Sequence, residues 1–388
     1  MGRGFSRSAG DVQVEFDQPA GEEAGERSLR ESAAQAADGA KLPYPPSWID
    51  RLTGWVDRLP VPPWAFYLAL GLALSLAYMA LLLSSNELAT GMLSLDTALV
   101  YSFLNGMTYA YLLGLIHYLD NSAAAALARF RPVLTVDETG YNSLVYRITT
   151  LAARPTLIAS GLGVIYTLLT LVITVVSVGI QSADALSPVV VVMIWASNLG
   201  LYVLVAVMVY HTLHQLRMVN EIYTRHTRIN IFQLGPLYSL SGLTARTAVG
   251  IGIPTYLWFQ VNSSSDMGTS LPDIIQTVFL SIMVIVTFIW PLVGAHNLLE
   301  REKQQLQDQV ARRIEATISV LHNSVDTAVM ENRGALHETL DALVTEQGVV
   351  DKLRTWPWRT GTLSGLGVAF LVPILIWLVQ RLLERLGI

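Results

Sequence analysis

Seven stretches of this chain are long and apolar enough to dictate its solvent. A helix that crosses a bilayer needs about 20 mostly apolar residues, and within hydrocarbon only helices and closed barrels satisfy their own backbone polar groups. The stretches run from Trp64 to Leu83, Ala98 to Tyr118, Leu157 to Ile180, Val189 to Tyr210, Thr247 to Val261, Ile274 to Leu292 and Leu363 to Val379. The fifth is the shortest and is interrupted by Gly250, Gly252 and Pro254, so a kinked or partly re-entrant path is expected there. Composition agrees, with 52% hydrophobic and 14% charged residues against about 25% charged in soluble domains. The predicted class is all-α, a polytopic helical membrane protein with seven transmembrane helices and a cytoplasmic helical hairpin.

The basic residues orient these spans. Every Lys and Arg falls before the first span, in 129–154, 217–246 or 301–359, or after the last span, and none falls in Ser84 to Leu95, Gln181 to Ser187 or Asn262 to Pro272. By the positive-inside rule the three basic-free loops face outward. The amino terminus is then cytoplasmic and the carboxyl terminus extracytoplasmic, in a plasma or inner membrane. Residues 1–45 are Gly-, Ser-, Ala- and Glu-rich and read as a disordered tail. Residues 46–61 place Trp48, Ile49, Leu52, Trp55, Val56 and Leu59 on one stripe, the pattern of an interfacial amphipathic helix with Trp rings at headgroup depth.

Spans one to six occupy 62–295, with cytoplasmic helical loops at 118–155 and 211–246. In the first loop Ser122 to Ala128 reads as helix, and Thr135 with Glu138 has capping-box spacing ahead of a helix ending near Ala153. The fourth span continues as a polar helix from His211 to His226. Residues 296–358 form a hairpin stem, in which Leu299, Leu306, Val310, Ile314, Ile318, Leu321, Val325 and Val329 recur at helical spacing. Gly334 is expected to break the stem before a second amphipathic helix that returns to the interfacial anchors Trp356 and Trp358. The last span and the carboxyl terminus occupy 359–388. An amphipathic stem needs something to cover its stripe, so self-association through 296–355 or a cytoplasmic protein partner is expected.

The residues that could carry chemistry are few. With no Cys there is no thiolate nucleophile, thiolate metal site or disulfide, and no GxSxG, HExxH, P-loop or Rossmann pattern occurs. The spans are almost free of charge at their centres, which argues against ion-coupled transport. Glu87, Asp96, Asp184, Asp266 and Asp273 lie at the outer loops and span mouths with no Lys or Arg among them. Around an oligomeric axis they would form a cation-concentrating mouth, although removing basic residues leaves acids by default. Ser102, Asn105 and Tyr109 share a face of the second span, Asn198 and Tyr202 one of the fourth, and Tyr256 and Gln260 stand on the fifth. Interhelical hydrogen bonds explain them more simply than a permeation path.

Histidines give the sharpest pattern. His117, His211, His214 and His296 all fall where the second, fourth and sixth spans reach the cytoplasmic face. They could bind a transition metal, ligate a haem or sense pH. Structural polar ends remain the simpler reading, and Asp120 and Glu300 nearby have no diagnostic spacing. The expectation is therefore no cofactor, with haem or metal as the minor alternative.

In layout the chain resembles the insect odorant and gustatory receptor-like seven-span ion channels: an inside amino terminus, short outer loops, fourth and sixth spans that continue as cytoplasmic helices, and a last span close to the chain end. The resemblance implies an oligomer anchor at Leu299 to Lys352 and a pore helix at Leu363 to Val379. The function expected is a non-enzymatic oligomeric passive cation channel or channel-like receptor. The alternative is a membrane-anchored scaffold or signalling protein, and the only other surroundings implied are the lipid bilayer, not nucleic acid.

Overall fold

Pro63 opens the first long helix at the one helical position where a missing N–H costs nothing, and Pro188 opens another in the same way. The computed structural model describes residues 43–84, 94–178, 187–227, 237–264, 271–326, 333–353 and 355–356, all within the compact unit Leu42–Ile388. The helices are α1 (Trp48–Val56), α2 (Pro63–Leu83), α3 (Leu95–Phe130), α4 (Glu138–Thr149), α5 (Ala153–Val178), α6 (Pro188–Arg225), α7 (Leu237–Ser264), α8 (Leu271–Asp326) and α9 (Arg333–Asp351). Among the described residues no strand forms. The fold is all-helical, and α2, α3, α5 and α6 are long and apolar enough to cross a membrane. The fifth and sixth expected spans lie on α7 and α8. The seventh, the tail 1–42 and the anchor Trp358 lie outside the described residues.

Apolar side chains face outward along these helices, with Leu76 at 71% exposure on α2 and Val176 at 79% on α5. On α5 the exposed residues Ile158, Leu162, Ile165, Leu169, Val172 and Val176 form one continuous helical stripe. In water such a stripe would be an aggregation site, whereas in lipid it is the required outer surface.

Some helix contacts close in at small residues. α2 lies along α3 and α5 along α6, while α3 also meets α6 and α7. A Cβ on Gly163 of α5 would stand 2.6 Å from Val203 Cα and 2.7 Å from Tyr202 O, so the α5 and α6 backbones cross where only glycine fits. α8 runs along α6 and α7, and α9 folds back onto α8.

Several expected boundaries move. The packed chain begins before residue 46: the Tyr44 hydroxyl donates to Thr150 O at 2.8 Å, and the Tyr146 hydroxyl donates to Tyr44 O at 2.7 Å. Thr135 lies two residues short of the cap of α4, its N–H donating to His226 O at 2.9 Å beside the Leu134–Thr227 bridge. Asp137 caps α4 instead, accepting from Gly140 N–H at 2.9 Å. The helix stops at Thr149 because Thr150 is extended and Ala152 bridges to Pro46, and Ala153 begins α5. Ser122 to Ala128 is helical as expected, as the end of α3. The fifth span is not re-entrant in its described part, since α7 is helical through Gly250, Gly252 and Pro254. Gly334 does not break a helix but sits inside the first turn of α9, and residues 327–332 lie outside the described residues.

Candidate functional site

α1 carries a polar face as well as an apolar one, and the fold uses both. Ile49, Thr53 and Val56 are buried, while Trp55 stays 54% exposed and meets Phe66 edge-on. Trp48 donates its indole N–H to Ser160 Oγ at 3.2 Å, tying α1 to α5. Asp50 closes a capping box with Ser47, its Oδ2 accepting from the Ser47 N–H at 2.9 Å, and it also accepts from the Leu151 N–H at 3.1 Å. Burial pushes the Asp50 carboxyl up to about 6, the nearby Asp120 carboxylate adds to the rise, and the hydrogen bonds from Ser47 and Leu151 oppose it. Burial likewise pushes the Tyr44 hydroxyl well above its ordinary value.

Two acid–imidazole pairs lie one helical turn apart along α3, one buried on both sides and one with a partly exposed carboxylate. His117, 1% exposed, places Nδ1 3.0 Å from the Tyr67 hydroxyl and Nε2 2.9 Å from Asp57 Oδ1. The Asp57 contact is close but bent away from a linear hydrogen bond. Three residues on, Asp120 is 2% exposed and its Oδ1 lies 2.9 Å from His211 Nε2 of α6. Gln215, one turn further along α6, donates to the same oxygen at 3.4 Å. His211 Nδ1, Thr212 Oγ1 and Gln215 Oε1 are buried without a hydrogen-bond partner among the described residues.

The other two histidines go elsewhere. His214 Nε2 lies 2.6 Å from Arg147 O of α4, and His296 Nδ1 lies 3.1 Å from Thr355 O, its ring stacked on Trp356 at 4.0 Å. His117 thus ties α3 to α2 and the end of α1, His211 ties α6 to α3, and His214 and His296 serve the α4 and stem contacts. Among the described residues no three His, Asp or Glu side chains gather as metal ligands. The arrangement binds α1, α2, α3 and α6 to one another through imidazole, carboxylate and phenol contacts.

Of the intramembrane polar residues, Ser102 donates to Met79 Sδ at 3.6 Å. Asn105 Oδ1 accepts from Ser197 Oγ at 3.0 Å, and the Tyr109 hydroxyl donates to Ser197 O. The α6 residue that meets this α3 face is therefore Ser197 rather than the neighbouring Asn198. Tyr202 packs edge-on against Tyr166 of α5. The side chains of Tyr256, Gln260 and Asp273 lie outside the described residues, as do Glu87, Asp184 and Asp266. Asp96 stands exposed in the first turn of α3, where its charge suits the helix dipole.

The sequence reading missed Asp50, Asp57 and Tyr67. The available signal was that Asp50 and Asp57 stand seven residues apart on one face of α1, a polar face aimed at the ends of the spans. Comparison with family models, curated proteins and solved structures finds no match to the chain.

Proposed function

We propose that this is a non-enzymatic membrane protein that self-associates through its stem as an oligomeric passive cation channel or channel-like receptor, with its amino terminus and stem in the cytoplasm. The observation that carries this reading is α8, a single helix of 56 residues from Leu271 through Pro291 and Gly294 to Asp326. At 1.5 Å per residue it is about 84 Å long, far more than the ~30 Å hydrocarbon layer, so a force on the stem reaches the membrane through one rigid element. α9 braces it: Lys303 Nζ donates to Asp351 O at 2.8 Å and Gln307 Nε2 to Asp351 Oδ1 at 2.7 Å. The hairpin still leaves Val320, Val325, Val344 and Val349 at least half exposed in a charged region, which favours a second copy as their cover. Reconstitution into planar bilayers tests the reading, with cation-selective conductance expected from a preparation whose oligomeric state is known.

A scaffold that binds a cytoplasmic protein is the second reading. It is favoured by Asn105, Tyr109 and Ser197, whose polar groups are spent on one another within one chain rather than on a path for ions. A conducting oligomer must then place its path between subunits.

A further inference from the structure

We infer that the cleft between the end of α6 and the middle of α8 binds a phosphate group at the membrane surface. The cleft is a cavity of about 190 Å³ lined by Arg217, Asn220, Glu221, Thr224, Arg225 and Trp290. That volume is below the roughly 300 Å³ of drug-sized sites and suits a headgroup. The five α6 residues are spaced at three, four, seven and eight positions from Arg217, so they share one helical face.

Charge in the cleft is positive. Glu221 is already engaged on its other side, its two oxygens 3.4 and 3.1 Å from the Arg147 guanidinium and one of them 3.9 Å from His226 Nε2. Among the described residues neither Arg217 nor Arg225 makes an ion pair. Two guanidiniums, the Thr224 hydroxyl and the Asn220 amide are the donor set that phosphate oxygens require, and guanidinium forks match phosphate two bonds at a time.

The cleft also sits at the right depth. Arg217 lies seven residues past Tyr210, the end of the apolar run, or about 10 Å along the helix. Helical side chains lean toward the amino end of their helix, which here is toward the membrane, so Arg217 reaches back toward headgroup level and Arg225 stands two turns deeper on the cytoplasmic side. Trp290 faces them from α8, 44% exposed near the end of that helix's apolar run, the position an interfacial Trp occupies. One turn on, Gly294 brings α8 against Asn220, where any Cβ would collide with the amide oxygen. That contact sets the width of the cleft. Basic pockets between spanning helices on the cytoplasmic side take anionic lipid headgroups in just this way. The inference goes beyond the channel reading and holds whether or not the assembly conducts.

The phosphate could come from a lipid or from a soluble phosphate compound, and one experiment separates them. The full chain is purified in a neutral detergent and titrated, in separate arms, with dioleoyl phosphatidylglycerol and with inorganic phosphate, bound ligand being counted by native mass spectrometry. Saturable binding of the lipid that inorganic phosphate does not displace is expected, and binding weakens by about ten-fold or more in R217Q/R225Q. Saturable binding of inorganic phosphate that the same variant loses supports the site with a soluble ligand instead. R217K/R225K, which keeps the charge but not the forks, serves as the second variant and should bind more weakly than the natural chain and more tightly than the glutamine pair. Equal binding of phosphatidylglycerol and of inorganic phosphate by the natural chain and both variants, or no saturable binding in either arm, overturns the inference.

Discussion

His211 of α6 and Asp120 of α3 meet at 2.9 Å with side chains only 1% and 3% exposed, so two helices far apart in sequence are joined by a polar pair that water does not reach. Breaking a buried pair from one side leaves an unsatisfied group with no solvent to turn to, at a cost of about 3 to 5 kcal/mol. Gln215 alone, at 3.4 Å, replaces little of it. H211A and D120A should each lower thermal stability in detergent by that order. H211L/D120L, which removes both polar ends, should recover most of the loss. If the double variant is as damaged as the sum of the single ones, the pair is not acting as a unit.

Asp50 makes stability depend on pH. Its carboxyl stands near 6 in the folded chain against 3.8 ordinarily. Between those values the folded chain holds a proton that the unfolded chain has released. Stability from this group is therefore full below pH 3.8 and declines as pH rises to about 6. Melting curves across that window should show the decline in the natural chain and a flatter profile in D50N. An unchanged slope in D50N would assign the dependence to other groups.

Gly163 and Gly161 lie two residues apart on α5 and should answer substitution in opposite ways. A Cβ at Gly163 meets the Val203 and Tyr202 backbone, while one at Gly161 meets nothing within 4 Å. G163A should cost about 1 to 3 kcal/mol by overpacking, and G161A should be neutral or gain up to about 1 kcal/mol from helix propensity. Unfolding in detergent compares the two directly, and equal effects would mean that α5 and α6 do not cross there.

Tyr109 is predicted to matter for packing and not for permeation. Y109F removes the hydroxyl that donates to Ser197 O, and interhelical bonds of this kind contribute about 0.6 kcal/mol on average. Stability should drop slightly and any conductance should remain. A variant of normal stability with altered conductance would place Tyr109 on the ion path.

Apolar runs made the helices legible, because about 20 residues without charge admit few other structures. Azimuth was harder to read. The histidines stand at the ends of apolar runs, but position along separate helices does not say which way each ring turns, and His214 meets Arg147 while His211 meets Asp120. Asn198 is the more polar of two neighbours, yet the rotation of α6 against α3 presents Ser197. The capping-box spacing at Thr135 misled, because Asp137 two residues on is the cap. Pro291 and Gly294 lie within one continuous helix, Gly294 serving as the point where α6 comes close.

The most direct test of the central proposal is a planar-bilayer recording of the purified full chain, made on a preparation already shown to be folded and of defined oligomeric state. A cation-selective, passive conductance carried by an oligomer, and lost when Val320 and Val325 on the exposed stem are both changed to Asp, is the predicted result. Electrically silent bilayers from a folded oligomer, or from a chain that is monomeric throughout, would contradict it.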